Sequence, residues 1–173
     1  MLEALHEWHE FYLLIGTSAA ALAGLLFIVV SISPETIASR PQSGVRAFIT
    51  PTIVFFTTAL IVSALMLAPG LTPVWLAVLL ALVGFGGLVY LFWVGGHERW
   101  RENQLDREDW IFYIAAPFVS YLLLFAAAVA IGFQSMLGAA VLALTMILLL
   151  VTGIHNAWDL VIWLAQQKRA PKA

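Results

Sequence analysis

F-Y-L-L-I-G-T-S-A-A-A-L-A-G-L-L-F-I-V-V-S-I, Phe11 to Ile32, runs for 22 residues without one Asp, Glu, Lys, Arg or His. A hydrocarbon layer of roughly 30 Å takes about 20 residues of helix to cross. This stretch is therefore long enough to span, and its continuous apolar character is that of a helix rather than an alternating strand. Three more uncharged runs follow, Ala47–Ala68, Pro73–Gly95 and Trp110–Gly132. A fifth, Met136–Leu164, is 29 residues long and would extend roughly 43 Å as a helix. Such a helix must tilt, protrude or bend along the surface.

The whole chain agrees with its spans. It has 173 residues, 62% hydrophobic and 10% charged, with a mean hydropathy of +0.97. A water-soluble domain is nearer half apolar and a quarter charged. The expected fold is a single all-α membrane domain, residues 1–173, made of five transmembrane helices over 11–32, 47–68, 73–95, 110–132 and 136–164. Pro69-Gly70-Leu71-Thr72-Pro73 and Gly132-Phe133-Gln134-Ser135 read as tight turns. The first ten residues, M-L-E-A-L-H-E-W-H-E, lack the basic start of a cleavable signal peptide, so the first span is expected to stay.

Basic residues set the orientation. Arg40 and Arg46 lie in the first link, Arg99, Arg101 and Arg107 in the third, and Lys168, Arg169 and Lys172 in the C-terminal tail, which accounts for all 8 Lys and Arg. In a five-span chain these segments share one side. Cytoplasmic loops carry the excess of Lys and Arg, so the N-terminus is expected outside and the C-terminus in the cytoplasm. Tryptophans fit this frame: Trp93, Trp100, Trp110, Trp158 and Trp163 near the inner boundary, Trp8 and Trp75 near the outer.

Several function classes are excluded or disfavoured. The net charge of −2 offers no basic excess for nucleic acid, and the absence of cysteine removes disulfides, Cys-ligated metals and thiol catalysis. No phosphate-binding loop, nucleophile elbow, H-E-x-x-H or dinucleotide fingerprint occurs. The expectation is a non-enzymatic protein with no cofactor. Ionisable residues at membrane depth usually mark ion or proton paths. Their absence from the first four spans disfavours a proton-driven carrier.

Three clusters and one stripe stand out. In T-G-I-H-N-A-W-D-L the fifth span carries Thr152, His155, Asn156 and Asp159, with His155 and Asp159 four apart on one helix face. That pair either binds a ligand, relays protons or docks a partner, or it simply pins a long helix at the headgroups. Glu3, His6, Glu7 and Glu10 share a helix face, and His9 follows His6 by three. Imidazole with carboxylate suits a divalent metal, while the plainer reading is an acidic cap on the outer surface. His97 to Asp109 alternates charge and reads as a solvated link or a docking surface. Gly16, Ala20 and Gly24 recur every four residues, a smooth stripe for close helix packing within the bundle or between copies. Gly84 and Gly87 are expected to do the same in the third span, and Pro117 to kink the fourth.

The segment Trp8–Ile32 resembles the opening of a group of small bacterial polytopic membrane proteins: a Trp-His pair, a Gly/Ala-rich helix, then a Leu-Phe-Val-x-Val-Ser-like end. Ser63–Gly70 is similar to their second helix and its turn, and Gly153–Leu160 to the end of their last helix, where Arg is more usual than His155. Some of that group carry the label "modulator of FtsH protease", a regulator of a membrane-bound AAA+ protease. The resemblance implies a modulator or accessory subunit acting on a membrane-protein partner, and it carries no catalytic residues. Beside it stand two other readings: an oligomeric channel or small-solute carrier, and a metal- or ligand-binding sensor using His6, His9 and their Glu neighbours.

Overall fold

The computed structural model describes residues 8–32, 42–98 and 111–169, and only the backbone of 42–48, 94–98 and 167–169. The elements are α1 (His9–Ile32), α2 (Gln42–Leu67), α3 (Pro73–Glu98), a π-helical turn (Ile111–Ala115), α4 (Ala116–Gly132) and α5 (Leu137–Arg169). No strand occurs among the described residues. Five helical stretches are long and apolar enough to cross a membrane: His9–Ile32, Ile49–Leu67, Pro73–Trp93, Ile111–Gly132 and Leu137–Gln166. Their limits differ by a few residues from those expected. The last begins after Met136 because 133–136 form the turn. In that turn Gln134 takes a left-handed φ of 57° and the N–H of Ser135 reaches the Ala130 carbonyl.

Helices α2, α5, α4 and α3 form a ring in that lateral order, closed by a narrower α2–α3 contact. Helix α1 lies outside the ring, packed along α2 and touching α5. Leu26 of α1 and Leu160 and Leu164 of α5 share one cluster, so the C-terminal ends of α1 and α5 lie at the same end of the bundle. With them lie Ile49 and Ile53 of α2. The main core, including Tyr12, Phe55, Phe56, Leu80, Tyr121, Leu124, Leu142, Met146 and Leu149, fills the rest of the bundle.

Helix α1 buries Tyr12, Ile15, Ala19 and Leu26, with Leu22 and Val29 partly covered between and beyond them. These positions advance by three and four, an average of about 3.5, the period of left-handed helix pairs. A row spaced by four drifts about 40° per step around a helix with 3.6 residues per turn. Gly16 therefore sits in the α1–α2 interface, where an added Cβ would come 2.9 Å from Ser63 Cβ. Gly24 has swung out and would meet nothing within 4 Å, and Ala20 is exposed. The stripe expected to pack as one surface is divided between two.

Close approach between α3 and α4 is real. A Cβ on Gly84 would lie 3.0 Å from the Phe125 backbone nitrogen, and one on Gly87 would collide with the Tyr121 ring. Tyr121 threads past Gly87 into the core and its hydroxyl hydrogen-bonds that of Thr58 on α2 at 2.9 Å. One side chain thus ties three helices together where no water competes for the bond. On the outside, Leu14, Phe27, Trp75, Phe92, Trp93 and Trp158 are each more than half exposed. That surface suits hydrocarbon as its solvent.

Candidate functional site

Pro117 shapes the site. It falls in the first turn of α4, has no N–H to give the carbonyl four residues back, and its ring crowds that carbonyl. The carbonyl belongs to Tyr113, and the backbone around it is a π-helical turn, Ile111–Ala115. Pro117, expected to kink the fourth span, thus lies just after a π-helical turn. Wide turns of this kind are common at functional sites. It places two neighbouring aromatic side chains, Phe112 and Tyr113, against one face of α5.

That face carries His155 and Asp159. The Tyr113 hydroxyl donates to Asp159 Oδ2 at 2.9 Å, and His155 Nε2 lies 3.4 Å from the same oxygen. The Phe112 ring stacks on the imidazole with centroids 3.8 Å apart and planes at 24°. Tyr113 is buried, while the side chains of His155 and Asp159 are each 33% exposed. The expected pair is therefore neither sealed in the core nor free on the surface. Its imidazole and carboxylate are held from one side by aromatic groups and are one-third exposed.

Asn156 points to the other side of α5 and is fully buried, as is Thr152. Neither Asn156 Oδ1 nor Nδ2 has a hydrogen-bond partner among the described residues. Thr52 of α2 is also fully buried. These polar residues separate the main core, which ends at Leu149 and Leu150, from the small cluster around Leu160 and Leu164. Helices α2 and α5 meet tightly beside this layer, since a Cβ on Gly153 would fall 2.5 Å from Phe56 Cε1. A buried amide without a partner costs about 1–3 kcal/mol.

The other expected residues are placed less closely together. His9 and Glu10 are exposed in the first turn of α1. Glu3, His6 and Glu7 lie outside the described residues, as does the link from Arg99 to Asp109. Among the described residues no three His, Asp or Glu side chains converge on one point.

Sequence reasoning missed Phe112 and Tyr113 as partners of the α5 pair, 46 residues away in the case of Tyr113 and Asp159. It also missed the orphan hydroxyls of Tyr12 and Ser63, buried without partners among the described residues. The one available signal for the first was Pro117, four residues after a Tyr at a span's start. Compared with protein-family models, with curated proteins and with solved structures, the chain matches none.

Proposed function

We propose that the chain is a non-enzymatic multi-pass protein of the bacterial cytoplasmic membrane. In this reading it acts by helix packing, as a modulator or accessory subunit of a membrane complex such as a membrane protease. One observation carries the proposal. Helix α1 is fixed to the bundle by its 3.5-period face alone, and it turns the small residues Ala20 and Gly24 outward, with open space around Gly24. Thr17 and Ala21 beside them are exposed as well. A row of small side chains lets a second helix approach closely, and van der Waals packing is the main force between helices in lipid. The orientation that goes with this reading, N-terminus outside, rests on the one-sided placement of every Lys and Arg.

The resemblance of Trp8–Ile32 to the group labelled "modulator of FtsH protease" makes a membrane protease the first partner to try. The channel reading draws no support from the hydroxyls of Ser120 and Thr145, which donate to the carbonyls of Ala116 and Val141 in their own helices. The test is purification in mild detergent at native expression, with mass spectrometry of co-purifying proteins. A stoichiometric membrane partner, lost on Gly24→Leu but kept on Leu14→Ala, is the expected result. Recovery of the same partner with Ala20→Leu and Gly24→Leu together would overturn the proposal.

A further inference from the structure

His155 Nε2 and Asp159 Oδ2 are 3.4 Å apart. That is too long for a good N–H···O hydrogen bond, which lies at 2.7–3.2 Å. It is the right length for something else. Zinc bonds to imidazole nitrogen and carboxylate oxygen are about 2.0–2.1 Å, and a tetrahedron with those radii has edges of about 3.3–3.4 Å. The two atoms are spaced as two corners of such a tetrahedron.

Two further features fit this role. The imidazole is held by the stacked Phe112 ring, so its orientation is set before any ion arrives. The carboxylate accepts from Tyr113, an outer hydrogen bond of the kind that orients metal-ligating carboxylates. Imidazole and carboxylate together suit a borderline divalent ion, and with no cysteine in the chain there is no thiolate to attract a soft one. The one-third exposure of both ligands leaves a path in.

We propose that His155 and Asp159 bind a zinc-type divalent cation, with Tyr113 positioning the carboxylate and Phe112 the imidazole. Water fills the remaining positions. Two strong ligands rather than four make this an exchangeable site, distinct from a closed structural one. The proposal stands whether or not α1 docks a partner.

The test uses the full chain with His6, His9 and His97 replaced by Ala, which leaves His155 the sole imidazole of the 4 in the sequence. Zinc is titrated into the chelator-treated protein in detergent and followed by calorimetry and by the NMR signals of that one histidine. Cobalt is added in parallel and read by its visible absorption. One zinc per chain, a shift of the His155 ring signals and tetrahedral cobalt bands are expected. Asp159→Asn should weaken binding at least tenfold, and Tyr113→Phe by about tenfold. Unmoved His155 signals up to ~1 mM zinc would overturn the proposal. So would unchanged affinity in a folded Asp159→Asn chain.

Discussion

Replacing Gly87 by Ala tests the central packing directly. A methyl at Gly87 would occupy the space of the Tyr121 ring. Tyr121 is fully buried, tilted against Phe55 with ring centroids 6.3 Å apart, and bonded to Thr58. To make room, either α3 must back away from α4 or the ring must leave its slot. Overpacking of this kind costs about 1–3 kcal/mol. If the ring moves, the Tyr121–Thr58 bond is lost as well, and bonds between membrane helices average about 0.6 kcal/mol with a maximum near 1.7. The expected loss is therefore roughly 2–4 kcal/mol. Gly24→Ala is the control, because its new methyl meets nothing within 4 Å. There the change should be neutral or gain up to about 1 kcal/mol from helix propensity. Reversible unfolding in mixed micelles, followed by circular dichroism, measures both. A cost below about 0.5 kcal/mol for Gly87→Ala, or equal effects of the two substitutions, would refute the account of Tyr121 as the tie between three helices.

Other outcomes follow from the same structure. A double-mutant cycle on Thr58→Val and Tyr121→Phe should give a coupling near 0.6 kcal/mol, and additive single effects would deny the bond in the folded state. With chelator present, Asn156→Leu should leave stability unchanged or raise it by about 1–3 kcal/mol, since it removes an unpartnered buried amide; a clear loss in the same unfolding assay would show that the amide has a partner. Gln134→Gly should stabilise the α4–α5 turn by up to about 1 kcal/mol, because Gln134 holds a left-handed φ; a lower melting temperature would contradict this. Because the chain has no cysteine, single cysteines report topology cleanly. Thr72→Cys should react with an impermeant maleimide in intact cells and Ala173→Cys only after permeabilisation, and the opposite pattern would reverse the proposed orientation.

The five helices were legible because apolar continuity over 20-odd residues needs no tertiary information. The His155–Asp159 pair was legible for a similar reason, since residues four apart on a helix always share a face. What could not be read was which helix each face would meet. Tyr113 reaches Asp159 only because Pro117 unsettles the turn before α4 and α4 lies beside α5. The lateral order of helices in lipid is set by small differences in shape, with no hydrophobic contrast between lipid and Leu to mark the inner faces. The Gly16–Ala20–Gly24 stripe is divided between the α1–α2 interface and the outside for a geometric reason. Spacing by four suggests one contact line, but the contact line of α1 follows 3.5, and the two diverge over two turns. The Thr58–Tyr121 bond had no sequence signal, for a mid-span Thr ordinarily bonds to its own backbone.

The ring order has a consequence for how the chain is made. Helices α1 with α2, and α3 with α4, are hairpins of consecutive elements, and each pair packs extensively. Helix α5 is synthesised after the other four, yet it separates α2 from α4 in the ring and touches both. At about 5–20 residues per second, its 33 residues follow α4 by roughly 2–7 s. Throughout that interval Phe56 and Ile131, the side chains that end against Gly153 and Gly138, are without those partners. The ring is thus closed by α5, and until α5 arrives α2 and α4 lack the helix that lies between them.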